Sequence, residues 1–265
     1  MASIRLFYHG PNKGKINFGD ALSPILVREI TGRNVVYSSI FRCELIGVGS
    51  ILDIYFRWRR ARSIVSRNEI VTWGAGFIKE GPKRHPKGLV IAAVRGPDTR
   101  DRLRLSPNTP IGDPGLLASM FAQRLISPRY SWGIIPHLAD SNDQKVKLLL
   151  QNTKHSTLIR LDQDPIQTLN EICQCERIIS SSLHGLIIAD ALNIPNWRIK
   201  FSNRIIGGSW KFNDYFNSVQ KLDRTSISTP LSGNLEDSML LEDFSYWERI
   251  PKMRHDLICS LKKFY

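Results

Sequence analysis

The feature that most constrains the fold is a set of short apolar runs that each end in glycine or another small residue. The clearest examples are Cys43–Val48 before Gly49-Ser50, Ile70–Trp73 before Gly74-Ala75-Gly76, and Leu89–Val94 before Arg95-Gly96-Pro97. Continuous apolar runs of this length are typical of parallel strands that are covered on both faces, and each run leads into a loop at its carboxyl end. We therefore predict an α/β protein.

The alternation of strand and helix patterns extends along most of the chain. The run Ile4–Tyr8 precedes a helical pattern over Asp20–Ile30, which Gly32 ends. A further strand is predicted at Thr109–Ile111 and a helix over Leu116–Leu125, and Pro128–Trp132 is interpreted as a connector between the halves. The second half repeats the alternation and closes with helical patterns, the first over Glu242–Ile250. We predict two doubly wound, Rossmann-like lobes that face a cleft, with residues 1–127 in the first lobe and 128–265, including closing C-terminal helices, in the second.

The net charge of +13 is concentrated in one part of the chain. Between Arg57 and Arg104 there are 13 Lys or Arg residues against four Asp or Glu. Such a block attracts nucleic acid, anionic lipid head groups and phosphorylated small molecules alike. No aromatic-interleaved motif of a nucleic-acid module accompanies it, so we expect no nucleic-acid partner. A solvated basic face and a peripheral contact with an anionic membrane both fit the charge.

The chain carries no pattern for secretion, membrane spanning or metal binding. Its N-terminal apolar stretch is too short for a signal peptide, and no apolar run approaches the roughly 20 residues of a transmembrane helix. Four cysteines without a C-x-x-C pair and six scattered histidines predict no metal site. We expect a cytoplasmic protein, with room for a peripheral position at the inner face of the membrane.

The loops after the predicted strands contain candidate ligand groups. In Asn17-Phe18-Gly19-Asp20, the glycine and the exposed backbone N–H groups can hold an anion, although Asp20 would repel it, and a plain helix cap is the better interpretation of Asp20 from this motif alone. The glycines of Gly49-Ser50 and Gly74-Ala75-Gly76 allow a close backbone approach to a ligand. Neither segment completes a G-x-G-x-x-G motif, which argues against a nicotinamide cofactor.

Arg95 is predicted to lie at the end of a buried strand. A guanidinium in that position can bind a carboxylate or phosphate in a bidentate manner. A structural salt bridge to Asp98 or Asp113 is an equally good interpretation.

The strongest local signal is the segment Ser180-Ser181-Ser182-Leu183-His184-Gly185, in which a strand pattern passes into a helix pattern. His184 is predicted at the strand-to-helix turn, where hydroxyl groups and free N–H groups gather around ligands in α/β lobes. His137 is the last residue of another strand pattern, Gly133–His137. A Ser-His-Asp hydrolase is disfavoured for two reasons. Ser181, Ser182, His184 and Asp190 are too close along the chain for a nucleophile, a base and an orienting carboxylate to hydrogen-bond in sequence, and no G-x-S-x-G elbow is present.

Taken in order, these motifs resemble those of the polysaccharide pyruvyl transferase family. The motifs are Asn17-Phe18-Gly19-Asp20, Gly47-Val48-Gly49-Ser50, Trp73-Gly74-Ala75-Gly76, Arg95-Gly96-Pro97, Gly112-Asp113-Pro114 and Ser180–Gly185, with Trp210–Asp214 as a further candidate. The resemblance covers about residues 4 to 200. It implies a two-lobed fold similar to the GT-B glycosyltransferases, phosphoenolpyruvate as donor, a sugar or lipid-linked oligosaccharide as acceptor, and no cofactor.

The resemblance also implies roles for single residues. His184 would be the catalytic acid and Arg95 a ligand of phosphoenolpyruvate, while Asp20 or Asp113 would orient or deprotonate the sugar hydroxyl. The predicted substrate-binding residues are Asn17, Gly19, Gly49, Ser50, Gly74, Gly76, Arg95, Asp113, His137, Ser181, Ser182 and Gly185.

One position departs from the family pattern. Some members have an arginine before the Leu-His pair, where this chain has Ser182. The missing positive charge would come from Arg204, Lys200 or the basic block. Two rival functions stay open: a glycosyltransferase that uses a nucleotide sugar on the same scaffold, and a non-catalytic module that docks on an anionic membrane or polysaccharide.

Overall fold

The computed structural model describes residues 3–9, 17–65, 68–221, 227–228 and 243–265, and these residues contain two parallel β-sheets. The first sheet has the order β2-β1-β3-β4-β5. Its strands are β1 (Ile4–Phe7), β2 (Val35–Tyr37), β3 (Leu45–Ile46), β4 (Ile70–Ala75) and β5 (Leu89–Val94). All the pairings in this sheet are parallel, which confirms the α/β class.

The second sheet has the order β10-β9-β8-β6-β7. Its strands are β6 (Tyr130–Ile135), β7 (Ser156–Leu158), β8 (Cys175–Ser180), β9 (Asn196–Lys200) and β10 (Ile227–Ser228). Numbered within its own sheet, each lobe has the same strand order, 2-1-3-4-5. The direction of winding therefore reverses between β1 and β3 in one lobe and between β6 and β8 in the other, and ligands of doubly wound sheets bind at such points.

Helices connect the strands of both sheets. They are α1 (Phe18–Thr31), α2 (Leu52–Val65), α3 (Pro97–Arg102), α4 (Gln144–Asn152), α5 (Pro165–Cys173), α6 (Leu183–Ala191), α7 (Trp210–Val219) and α8 (Ile250–Lys262). Short 3₁₀ segments occupy Pro114–Met120, Leu138–Asp140 and Ser245–Arg249. Within the described part of the chain, none of the helices combines the length and the apolar character that a bilayer crossing requires.

Helix α1 illustrates how local sequence sets an element. It ends at Gly32, whose φ of 64° is left-handed and whose N–H donates to the Arg28 carbonyl over 2.9 Å. Its start differs from the sequence-based expectation, because Asn17 is the N-cap and Asp20 lies inside the first turn. The interpretation of Asp20 as the helix cap is therefore wrong.

The two lobes share a hydrophobic core. One continuous cluster contains Leu22 and Leu26 of α1 together with Leu169 of α5, and α1 packs directly on α5. Helix α8 returns to the first lobe and packs against β4, β5 and α1, where Trp73 Nε1 donates to the Leu257 carbonyl over 3.0 Å. The predicted boundary at residue 128 lies between the two sheets, whereas α8 joins the core of the first lobe.

Several elements differ from the prediction. The strand expected at Thr109–Ile111 is a single bridge between Ile111 and Val94. The expected connector Pro128–Trp132 already contains the start of β6, and the helix expected over Leu116–Leu125 is the 3₁₀ segment that ends at Met120. Helices α2 and α7 and strands β2 and β9 were not predicted. The helix expected over Glu242–Ile250 begins outside the described residues, and its described part is 3₁₀ up to Arg249.

Candidate functional site

A pocket of about 180 Å³ lies where the two points of reversed winding face each other. Residues that follow β1 and β3 form one side, and residues that follow β6 and β8 form most of the other. The lining residues are His9, Asn17, Asp20, Gly49, Ser50, Ile78, His137, Leu138, Leu161, Ser182, Leu183, His184 and Lys211. A backbone hydrogen bond from Phe18 N–H to the Leu161 carbonyl, 3.0 Å long, joins the two sides.

The pocket brings together seven of the residues proposed from the sequence: Asn17, Asp20, Gly49, Ser50, His137, Ser182 and His184. The others do not line it. These are Gly19, Gly74, Gly76, Arg95, Asp113, Ser181 and Gly185. Ser181 lines a neighbouring cavity, and three of these residues contact residues of the pocket: Gly19 packs on His184, Arg95 bonds to Ser50, and Ser181 bonds to His137.

The first-lobe wall consists of His9, Asn17, Asp20, Gly49, Ser50 and Ile78. Three of its polar side chains, those of Asn17, Asp20 and Ser50, are hydrogen-bonded within the protein. Asn17 Nδ2 donates to Asp20 Oδ2 over 2.5 Å. Burial of Asp20, together with the nearby negative charge of Asp113, raises the pKa of its carboxyl to about 8, and Lys211 opposes this shift. At neutral pH, Asp20 is therefore mostly protonated.

Arg95 holds the first-lobe wall from behind. Its side chain is 1% exposed, and Nη1 donates to Ser50 Oγ over 2.7 Å. Nη2 donates to the Phe77 carbonyl over 2.6 Å and lies 3.0 Å from Asp214 Oδ2 of α7. The ion-pair partner is thus Asp214, and neither Asp98 nor Asp113. The direct contact with a donor anion that the resemblance implies stays a prediction, because Ser50 and not Arg95 lines the pocket.

Besides the ion pair between Arg95 and Asp214, a close backbone contact joins the segment Arg95-Gly96-Pro97 to α7. A Cβ at Gly96 would lie 1.8 Å from the Asp214 carbonyl oxygen, so only glycine allows α7 to approach this closely. Asp214 also accepts hydrogen bonds from Thr99 N–H over 2.9 Å and from Thr99 Oγ1 over 2.6 Å. This motif therefore fastens the first lobe to α7.

The serines after β8 shape the second-lobe wall, which consists of His137, Ser182, His184 and Lys211. Ser180 Oγ accepts the Ser182 N–H over 3.0 Å and lies 2.9 Å from the Ile135 carbonyl, which fixes the strand-to-helix turn. His137 N–H donates to Ser181 Oγ over 2.8 Å. The Nδ1 atom of His137 accepts from Ala139 N–H over 3.1 Å, which requires a neutral ring, and its pKa is lowered to about 4, chiefly by burial.

His184 is the histidine in the first turn of α6. Among the described residues its Nε2 atom has neither solvent contact nor a hydrogen-bond partner, and its ring packs against Gly19, where a Cβ would lie 1.9 Å from Nδ1. Burial, aided by the positive charges of Lys211 and Arg95, lowers the pKa of His184 to about 3. This imidazole is therefore neutral at physiological pH, and its Nε2 atom is a buried polar atom that no described residue satisfies.

Lys211 is a charged pocket residue that the sequence did not predict, and the other lining residues not predicted are His9, Ile78, Leu138, Leu161 and Leu183. Lys211 lies in the first turn of α7 and is 8% exposed, and among the described residues its ammonium has no hydrogen bond or ion pair. Burial and the cations Arg95 and Arg198 lower its pKa to about 8. Lys211 and Asp214 are three residues apart, so a helix over Trp210–Asp214 places both on one side, from which Lys211 reaches the pocket and Asp214 reaches Arg95.

Lys211 brings a positive charge to the pocket wall that also contains Ser182. The expected sources do not line the pocket: Arg204 is exposed and contacts Asp143 and Asp140, and Lys200 is exposed beside a neighbouring cavity. Across the ranges that the structure describes, no group of three or more His, Cys, Asp or Glu side chains could hold a metal ion.

Comparison with known proteins adds to this geometry. A sequence model of the family described as polysaccharide pyruvyl transferase matches residues 17–203. The chain is 25% identical over 248 residues to the uncharacterized protein L143 of Acanthamoeba polyphaga mimivirus, a match that covers 89% of this chain and 81% of that protein. It is 26% identical over 205 residues to the succinoglycan biosynthesis protein ExoV of Rhizobium meliloti (strain 1021), covering 77% of this chain and 61% of ExoV.

Proposed function

The chain belongs to the polysaccharide pyruvyl transferase family, and from this premise we propose that it transfers the enolpyruvyl unit of phosphoenolpyruvate to a pair of sugar hydroxyls, forming a pyruvate ketal. The observation that carries the proposal is that one pocket is lined by both Lys211, whose ammonium has no hydrogen bond or ion pair among the described residues, and His184, whose buried Nε2 atom has no hydrogen-bond partner among them. An anionic donor that needs a proton matches both groups.

The size of the pocket favours this donor over a nucleotide sugar. A volume of about 180 Å³ lies below the roughly 300–1,000 Å³ of sites for larger ligands, and it suits a three-carbon acid with one phosphate. The rival glycosyltransferase reaction would have to place a nucleoside diphosphate in the same space. The two parallel sheets with a pocket between them fit a GT-B-like arrangement, which we include in the proposal.

Three positive features of the second lobe would bind the carboxylate and phosphate of the donor. The ammonium of Lys211 supplies a full charge, and the amino-terminal ends of α6 and α7 add the partial positive charge of their free N–H groups. Ser182, the N-cap of α6, has no side-chain capping hydrogen bond, so its hydroxyl can contact the donor. Arg95 would act through Ser50, which it holds in position.

His184 would carry the proton that reaches C3 of the donor. Burial, together with the charges of Lys211 and Arg95, keeps the imidazole neutral, and the negative charges of a bound donor would offset those two cations and raise the pKa of His184. Protonation by donor binding would couple the acid to the presence of its substrate. Asp20, which keeps its proton up to a pH of about 8, is the second candidate for this role and a poor general base at neutral pH.

The proposed reaction proceeds in two additions. Transfer of the His184 proton to C3 leaves an oxocarbenium-like carbon at C2, which the first sugar hydroxyl attacks. The imidazole, now neutral, accepts the proton of that hydroxyl. Inorganic phosphate then leaves C2 with its bonding electrons, and the second hydroxyl adds to C2 and releases its proton, which completes the ketal.

The acceptor is proposed at the level of its class. ExoV is described by its part in succinoglycan biosynthesis, which supports a sugar hydroxyl pair in a surface polysaccharide, or in its lipid-linked precursor, as the acceptor here.

A direct test is to incubate the protein with phosphoenolpyruvate and a panel of oligosaccharides. We expect release of inorganic phosphate together with a mass gain of about 70 Da on one glycan, the mass of pyruvic acid less water, in a reaction that depends on the pocket residues. Parallel incubations with nucleotide sugars serve as the control. Glycosyl transfer from one of these, without turnover of phosphoenolpyruvate, would favour the rival reaction.

A further inference from the structure

Helix α2 presents an exposed face on which apolar and cationic side chains are mixed. Trp58 is 46% exposed, Ile64 87% and Val65 56%. Trp58 and Val65 are seven residues apart, as are Arg57 and Ile64, so these side chains form one continuous stripe along the helix. Single exposed apolar residues are ordinary on protein surfaces, but a contiguous group of them marks an interaction surface.

The surroundings of this stripe are strongly basic. Between Leu52 and Gly88 the chain has nine Lys or Arg residues and three Asp or Glu. Arg57 and Arg60 are exposed on α2 itself. The neighbouring segment 79–87 adds exposed cations, and it is held against α2 because Arg84 lies over the Phe56 ring and Tyr55 donates to the Lys87 carbonyl.

From this combination we infer that the exposed face of α2 docks on the surface of an anionic lipid bilayer. Cationic side chains would contact the lipid head groups while Trp58, Ile64 and Val65 enter the boundary between head groups and acyl chains, as amphipathic surface helices do. A second copy of the chain would meet like charge at this face. Nucleic acid would be attracted by the cations but offers no apolar layer for Ile64 and Val65.

The position of α2 connects this surface to the pocket. Ser50 lines the pocket, α2 begins two residues later at Leu52, and its 14 residues extend about 21 Å at the usual helical rise. A bilayer along α2 would therefore hold the pocket within a few nanometres of the head groups. This inference does not depend on the proposed reaction, because it concerns binding alone.

The experiment is flotation of the full chain with vesicles of phosphatidylcholine alone or mixed with phosphatidylglycerol. We expect binding only to the mixed vesicles, and weaker binding as salt is raised. The double variant Arg57→Glu/Arg60→Glu should weaken binding by about fivefold or more for each reversed cation. The variant Trp58→Ala/Ile64→Ser should also weaken binding, and Trp58→Phe should lower the quenching of tryptophan fluorescence by brominated acyl chains.

Two control variants carry the same chemical changes elsewhere on the surface. Lys145→Glu/Lys147→Glu alters two exposed cations of α4, and Ile126→Ser removes a fully exposed apolar side chain between the lobes. Both should bind mixed vesicles like the wild type, and all variants should keep the wild-type melting temperature. No binding to mixed vesicles, equal loss in the control variants, or unchanged binding by Trp58→Ala/Ile64→Ser would overturn the inference. Tight binding to DNA without vesicle binding would do so as well.

Discussion

The two walls of the pocket differ in how completely their polar groups are paired. On the first-lobe wall, Asn17 bonds to Asp20, and Ser50 bonds to an Arg95 that is itself fixed by Asp214. On the second-lobe wall, His184 Nε2 and the Lys211 ammonium have no hydrogen-bond partner among the described residues. Both walls are largely buried, so the difference lies in pairing and not in exposure.

This difference separates residues that support the pocket from residues that can act on a ligand. A buried polar group without a partner destabilises the folded protein, and such groups are concentrated at functional sites, where a bound ligand supplies the missing partner. We therefore expect substitutions on the paired side to lower stability and substitutions on the unpaired side to lower activity. The four predictions below test that division, in order of decreasing effect.

The largest effect is expected from Arg95→Met. This variant leaves the Asp214 carboxylate buried without its cation, so the free energy of unfolding should fall by about 3–5 kcal/mol, measured by denaturant titration. The double variant Arg95→Met/Asp214→Asn should recover part of the loss because the unpaired charge is gone. A stable Arg95→Met protein with weak donor binding would instead make Arg95 a direct ligand of the donor and would break the comparison.

His184→Gln tests the unpaired wall. The amide retains hydrogen bonding but cannot donate the proton, so kcat should fall by about 10²-fold or more, with little change in melting temperature. His137→Gln is the matched control, because His137 Nδ1 accepts from Ala139 N–H and the ring is neutral. An equal loss of kcat in both variants would mean that pocket shape, and not proton transfer, depends on these rings.

Lys211→Met is expected to affect binding more than turnover. The Michaelis constant for phosphoenolpyruvate should rise by about tenfold or more, the usual worth of a hydrogen bond to a charged group, while stability should stay equal or rise because no buried ion pair is lost. Lys200→Met, at an exposed lysine outside the pocket, serves as the control in steady-state kinetics. A destabilised Lys211→Met protein with an unchanged Michaelis constant would place Lys211 on the structural side.

The smallest effect concerns the pH dependence of stability. The folded pKa of Asp20, about 8, lies above its unfolded value, so the folded state binds more protons and stability falls as pH rises through this range. Between about pH 5 and 7, where the folded carboxyl is protonated and the unfolded one is ionised, the slope should reach about 1.4 kcal/mol per pH unit, and it should level off above pH 8. Asp20→Asn should flatten it. Unfolding curves at several pH values measure the slope, and identical slopes in both proteins would show that Asp20 is ionised in the folded state.

The sequence predicts those parts of the fold that depend on local pattern. Apolar runs that end in glycine or another small motif correctly identify β4 and β5. A strand that is covered on both faces is apolar at nearly every position, so the run itself marks the strand. Helix α2 was missed because its exposed Arg side chains and its apolar exposed face hide the usual amphipathic pattern. Helix α7 and strand β9 follow Pro195, where the apolar pattern becomes irregular.

The site could be predicted only where its residues belong to a compact motif. His184, Asp20 and Ser50 each follow a strand end, so they were found. Lys211 was missed because nothing in its neighbours distinguishes a buried lysine from a surface one. The predicted ion-pair partner of Arg95 was also wrong. The partner, Asp214, is 119 residues away along the chain, and the closer residues Asp98 and Asp113 fit the sequence equally well.

The return of α8 to the first lobe has a consequence for how the protein is made. Leu257 and Leu261 are fully buried in a core that also contains Ile4, Leu22 and Trp73. On the ribosome, the strands of that core emerge early, but the helix that covers Trp73 emerges more than 150 residues later. The first lobe is therefore synthesised first and completed last, and until α8 emerges it exposes apolar surface of the kind that chaperones bind.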